Sequence, residues 1–182
     1  MVKKIILVMS IVILALICCA CNNTPDVITS DVIPYYSQNM EDFINTWKSA
    51  QNVDGDKRLN ANNNEKVLII PEISYEDYKL FLISATEYSY DYYFTLSSYE
   101  GGIGNVAQFS IVVSVSKYDN SFENIRQEYN LSGSDEIYLN DKNNVWYVNQ
   151  GNKCVSISFN NGEVVKSADD LNSIIHFDYI HP

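Results

Sequence analysis

The chain is poor in the side chains that carry most enzyme chemistry. Of its 182 residues only two are histidines, His176 and His181, both close to the C-terminus. Cysteine is scarce beyond the start: Cys18, Cys19 and Cys21 crowd the N-terminus, and Cys154 stands alone in the rest. A single thiol cannot close an intramolecular disulfide, nor build a zinc site with two distant histidines. Missing too are the G-x-S-x-G serine elbow, a P-loop, a dinucleotide-binding glycine pattern and H-E-x-x-H. Gly101-Gly102-Ile103-Gly104 precedes a β-like segment, whereas phosphate cradles open helices, so it reads as a turn. No catalytic residue and no cofactor is assigned, and the chain is read as a non-enzyme. Positive charge is short as well: 12 Lys and Arg face 23 Asp and Glu, a formal charge of −11. Such a surface repels phosphate backbones, which excludes nucleic acid as a partner.

Long apolar runs are also lacking. Ile5 to Ala20 is uncharged, but sixteen residues fall short of the roughly 20 that a bilayer-crossing helix needs. The run follows the basic start Lys3-Lys4 and ends in small Ala20 before Cys21, the order of a secretory signal. Ala20-Cys21 resembles the lipobox of bacterial lipoproteins, with Cys18 where that motif usually has Leu. Only Cys21 of the three cysteines has a small residue before it. The resemblance covers residues 1–21 and implies cleavage before Cys21 and lipidation of its thiol. The protein would then be anchored in the cell membrane on its extracytoplasmic face. About 0.8 kcal/mol per buried CH₂ makes two or three acyl chains a firm anchor. The expected organisation is a signal peptide over 1–20, a lipidated Cys21 with a tether to residue 36, and one domain over 37–182. The remainder of the chain resembles no family closely.

Periodicity outlines that domain. Asn39 caps a helix over Met40–Ala50 whose apolar stripe is Met40, Phe43, Ile44, Trp47 and Ala50. Val67–Ile70 reads as a strand stopped by Pro71. Tyr78–Ser98 alternates almost throughout and is long for one strand, so two are expected with a bulge or turn near Tyr88–Asp91. Val106–Ser116 reads as a half-buried strand, with Phe109, Ile111, Val113 and Val115 facing inward and Ser110, Ser114 and Ser116 facing water. Asn120-x-x-Glu123 and Ser167-x-x-Asp170 read as capping boxes of two more helices. Between them three strands, Glu136–Leu139, Val145–Val148 and Lys153–Phe159, are joined by Asn-rich turns. The last puts Cys154, Ser156 and Ser158 on its wetter side. The expected fold is α+β: a mainly antiparallel sheet of six to seven strands with three helices, largely on one face.

Two features invite a functional reading. Tyrosine is abundant, 14 in all, and Tyr88, Tyr90 and Tyr92 share one parity of a strand. A row of aromatic rings on a sheet grips a sugar or a protein at low entropic cost, so these three are the candidate binding surface. Half-buried packing with the hydroxyls outside is the competing use of the same pattern. The second feature is Asn52 to Asn63, which is similar to the twelve-residue calcium loop of dockerin and EF-hand modules. That resemblance implies Asn52, Asp54, Asp56, Asn60 and Asn63 as oxygen ligands with the Arg58 carbonyl. Lys57 replaces the turn glycine, Asn63 replaces the bidentate acid, and no second copy follows. The segment is therefore read as a solvated Asn/Asp loop, with no metal assigned. Together these features point to a membrane-anchored module that binds an envelope or extracellular protein or glycan. The alternative is an envelope sensor or structural lipoprotein whose sheet contacts lipid.

Overall fold

A computed structural model of the chain describes residues 33–52, 54–60, 67–160 and 165–182. The signal-peptide region and Cys21 lie outside them, as do Val53, Asn63 and the Asn161-Gly162 turn. From Pro34 to Pro182 the chain forms one compact unit. Its elements, in order, are β1 (Tyr35–Ser37), α1 (Met40–Ser49), β2 (Leu68–Ile73), β3 (Tyr78–Ala85) and β4 (Ser89–Leu96). A 3₁₀ helix (Ile103–Phe109) and β5 (Ile111–Ser116) follow, then α2 (Ser121–Tyr129), β6 (Ile137–Asn140), β7 (Val145–Gln150) and β8 (Lys153–Phe159). The chain ends with α3 (Ala168–Ile174) and β9 (Ile175–Ile180). Seven strands make one antiparallel sheet in the order β1-β3-β4-β5-β8-β7-β6, and β2 pairs with β9 in a second. This is the expected α+β class. Among the described residues no helix is long and apolar enough to cross a membrane.

Strand alternation decides which side of the large sheet is core. Ile111, Val113 and Val115 of β5, and Val155, Ile157 and Phe159 of β8, are all buried. The residues between them, Val112, Ser114, Ser116, Cys154, Ser156 and Ser158, are half-buried. The α1 residues Phe43 and Trp47, the α3 residues Leu171 and Ile174, and Leu68–Ile70 of β2 join the same core. Helices α1 and α3 and the small sheet therefore cover one face. Helix α2 reaches the other, where Tyr129 meets Tyr138 and Tyr147 of β6 and β7.

Several local expectations need correction. The break in the long alternating stretch falls at Thr86–Tyr88, because Thr86 Oγ1 accepts from the amides of both Tyr88 and Ser89 at 3.1 Å. A bulge between Leu80 and Leu82 then turns Leu82 to the face opposite Ile83. Residues 103–109 are 3₁₀ rather than strand, so Phe109 lies exposed on the surface. Pro71 does not stop β2, which runs through it; paired on one side only, that strand needs no donor there. Asn120 adopts a left-handed conformation and makes no cap bond, while Ser121 Oγ accepts from the Cys154 amide at 2.7 Å. The caps at Asn39 and Ser167 are as expected: each accepts from an amide three residues on, at 3.0 and 3.1 Å. The first strand takes in Tyr35 and Tyr36, the last two residues of the expected tether.

Candidate functional site

The tyrosine row expected as a contact surface is divided between core and surface. Tyr90 and Tyr92 alternate with Phe94 on the α1 side of β4 and are 2 % and 0 % exposed. Phe43 meets both rings edge-on, at 5.9 and 6.2 Å. Their hydroxyls are consumed internally: Tyr90 donates to the Leu59 carbonyl at 2.9 Å and accepts from Trp47 Nε1 at 2.9 Å, and Tyr92 donates to the Ile69 carbonyl at 3.0 Å. Burial raises the pKa of both phenols. Neither ring can meet a partner in the folded domain. Tyr88 lies in the turn before β4, 45 % exposed, with its ring 6.2 Å from that of Tyr118.

The Asn/Asp loop is organised by its own cation. Arg58 Nε donates to both carboxylate oxygens of Asp56, at 2.9 and 3.0 Å, and Nη2 pairs with Oδ2 as well. That guanidinium holds the Asp56 carboxyl below the usual carboxylate range. Asn60 Nδ2 donates to the Asn52 carbonyl at 2.8 Å, closing the loop on itself. Gly55 is required where it is, since a Cβ there would lie 1.7 Å from the Ala50 carbonyl oxygen. Asp54 stands exposed, away from these contacts. Among the described residues no cluster of three or more His, Cys, Asp or Glu is placed to hold a metal ion.

Lys117 ties this loop to the sheet. Its side chain is 1 % exposed, and Nζ donates to the Thr86 carbonyl at 2.6 Å, to the Lys57 carbonyl at 3.4 Å and to that of Arg58. The ammonium also sits 4.4 Å from the centroid of the Tyr90 ring. Burial pulls its pKa down to about 7, against the attraction of Asp56, Glu87 and Asp91. Enclosed in this way, Lys117 is a fastening and not a surface group.

The other face of the large sheet has a different character. Reading the strand register across it gives Tyr36, Ser84, Asp91, Ser114, Ser156, Tyr147 and Tyr138, one residue from each of seven strands. At a strand spacing of about 4.8 Å the row is about 29 Å from end to end. Its middle is hydroxyls and one carboxylate; its ends are aromatic. Tyr36 is 49 % exposed, Asp91, Ser114, Ser156, Tyr147 and Tyr138 are half-buried, and only Ser84 is buried. The rings of Tyr138 and Tyr147 lie nearly parallel, 10° apart with centroids at 6.3 Å, and Tyr129 of α2 rests 4.6 Å from Tyr138. Asn140 Nδ2 donates to the Tyr129 hydroxyl at 3.0 Å and fixes that ring.

The chain matches no protein-family model, no curated protein and no solved structure. What the face can do therefore rests on its own chemistry. Desolvation pushes the Asp91 carboxyl upward in pKa, opposed by hydrogen bonds from Ser114 and Ser89. Tyr93, on the same face, is raised chiefly by burial and also by Asp91 and Tyr36. Burial pushes the Cys154 thiol up to about 11, so at neutral pH it is a protonated, unreactive group. Neither histidine stands in this row; both are exposed, His176 on β9 beyond the core. Residues of this composition bind through hydrogen bonds and ring contacts. The sequence places Ser114 and Ser156 on the wet side of their strands, but not Asp91, Tyr36, Tyr138 or Tyr147 in line with them. The usable signal was the polar parity of β4, Ser89-x-Asp91-x-Tyr93, alternating with the tyrosines that go into the core.

Proposed function

We propose that the protein is an extracytoplasmic lipoprotein, anchored through Cys21, whose domain is a binding module for an envelope or extracellular protein or glycan. The observation that carries the binding part is the seven-residue polar and aromatic row on the face away from α1 and α3. An antiparallel sheet needs only one face in the core, and the other, which α2 covers in part over β7 and β8, keeps half-exposed side chains for recognition. This moves the binding surface from Tyr88, Tyr90 and Tyr92 to the opposite side of the same strand. The reading as a lipid-contacting sheet gains no support, because hydroxyls and a carboxylate are costly against acyl chains. The anchor rests on Lys3-Lys4, the uncharged run and Ala20-Cys21. Cys21→Ser removes the acylated thiol, and fractionation of cells carrying it should move the protein from the membrane to the soluble fraction. If the Ser variant stayed with the membrane, acyl anchoring at Cys21 would be wrong.

A further inference from the structure

Between the first turn of α2 and the β7–β8 hairpin lies a cavity of about 70 Å³, lined by Asn120, Phe122, Glu123, Arg126, Asn149 and Asn152. Ser121 Oγ, accepting from the Cys154 amide, fastens the helix to β8 beside it. The volume is that of about two waters, too small for a sugar ring or an aromatic side chain. Asn149 brings an acceptor with nothing to accept: its Oδ1 is buried and has no hydrogen-bond partner among the described residues. A buried acceptor in that state is costly, and a donor placed in the cavity relieves it. Glu123 and Arg126 give the lining one charge of each sign, with Nη1 3.5 Å from Oε2. That bond is long, and the rest of the guanidinium is held elsewhere. Nε and Nη2 donate to the Asp135 carbonyl at 3.3 and 3.0 Å, and Nη2 donates to Glu136 Oε1 at 3.1 Å. Nη1 therefore keeps a hydrogen for a further acceptor, and Glu123 keeps an oxygen for a further donor. Asn120, which makes no cap bond with its own helix, and Asn152 add carboxamides that donate as readily as they accept.

The two charges of the lining cancel. A lone anion meets Glu123 and a lone cation meets Arg126, so neither is favoured. A molecule carrying both charges, laid antiparallel to the Glu123–Arg126 pair, sets opposite charges together at both ends. The 3.5 Å of the pair is close to the distance between the ammonium and the carboxylate of an α-amino acid. We infer that this cavity binds the zwitterionic head of a free α-amino acid. Its carboxylate accepts from Arg126 Nη1, its ammonium donates to Glu123 and to Asn149 Oδ1, and its side chain points out through the open side of the cavity. No bond is made or broken. The site is separate from the row across the sheet, and the failure of either leaves the other standing.

The probe is isotope-labelled glycine, titrated by NMR against the full-length protein in a polyoxyethylene detergent at neutral pH. A ligand of so few atoms binds weakly, and a dissociation constant of about 0.1–1 mM is expected. Three analogues are set against it in competition. Glycinamide lacks the carboxylate, N-acetylglycine lacks the ammonium, and triglycine keeps both charges but sets them far apart. Each should bind about tenfold or more weakly than glycine. Glu123→Gln alters an exposed carboxylate, and Asn149→Leu removes the buried acceptor at nearly constant volume. Each should weaken glycine about tenfold or more, with circular dichroism melts showing that both variants fold. Absence of saturable glycine binding up to about 10 mM would overturn the inference. An analogue that binds as tightly as glycine would overturn it too, because the spacing of the paired charges would then not be what is read. Glycine binding that survives both substitutions would place the amino acid elsewhere on the protein and rule out this cavity.

Discussion

Trp47→Ala is expected to cost the domain about 3–5 kcal/mol, a large share of the roughly 5–15 kcal/mol that keeps a domain folded. The indole is fully buried on α1 and lies at the head of a relay. Its Nε1 donates to the Tyr90 hydroxyl, which donates in turn to the Leu59 carbonyl, so one side chain joins helix, sheet and loop. Truncation opens a cavity against Tyr90 and also leaves that hydroxyl short of a donor. For a domain of this size the melting temperature should fall by roughly 6–20 °C. Trp47→Phe separates the two parts. It keeps most of the ring volume and loses the hydrogen bond, and should cost about 1–3 kcal/mol. Equal losses for Ala and Phe in urea melts would mean that packing of the indole contributes nothing, contrary to its complete burial.

The second large effect is on the pH dependence of stability, which three kinds of buried group shape in opposite directions. Lys117 has a folded pKa of about 7. A lysine in the unfolded chain holds its proton to about 10.4, so above pH 7 the unfolded state binds more protons. Stability should therefore rise with pH from about 7, by up to about 1.4 kcal/mol per unit. Cys154 works the other way: unfolded it ionises near 8.5, folded only at about 11, so above pH 8.5 it offsets the gain from Lys117. Beyond about pH 10 the unfolded tyrosines ionise while Tyr90 and Tyr92 stay protonated. Stability should then fall at up to about 2.7 kcal/mol per unit, two protons' worth. The expected curve climbs from pH 7 to 8.5, levels, and collapses above 10. Lys117→Met should erase the climb and keep the collapse. It should also lower stability at pH 7 by about 1–3 kcal/mol, because the carbonyls of Thr86 and Arg58 lose their donor. A wild-type curve without a rise between pH 7 and 8.5 in urea titrations would contradict the burial of the ammonium.

Local chemistry accounts for what was legible in advance. Alternation in β5 and β8, the caps at Asn39 and Ser167, and the α1 stripe are all properties of short windows, and each is as expected. Pairing is not local. The small sheet joins Leu68 to Ile180 across most of the domain, and nothing near Ile175 signals that the apolar stripe of α3 passes directly into a strand. The turn at Thr86 was hidden because Tyr88 continues the parity of Tyr90, and only the Thr86 hydroxyl shows where the strand ends. Parity grouped Tyr90 and Tyr92 correctly on one face of β4. Which face α1 would cover is a tertiary fact, and it sends the tyrosines inward and Asp91 outward. The candidate site was missed for the same reason: a row across seven strands is a property of register, and its members lie far apart in the chain.

The most direct measurement is tyrosine nitration of the full-length protein, mapped by mass spectrometry before and after incubation with envelope fragments from the cells that carry it. In the free protein Tyr36, Tyr88 and Tyr118 should be modified and Tyr90 and Tyr92 spared, following their burial. On incubation, protection should appear at Tyr36 and leave Tyr88 and Tyr118 as reactive as before. Modification of Tyr90 or Tyr92 in the native protein, or protection confined to Tyr88 and Tyr118, would contradict the assignment of the binding face.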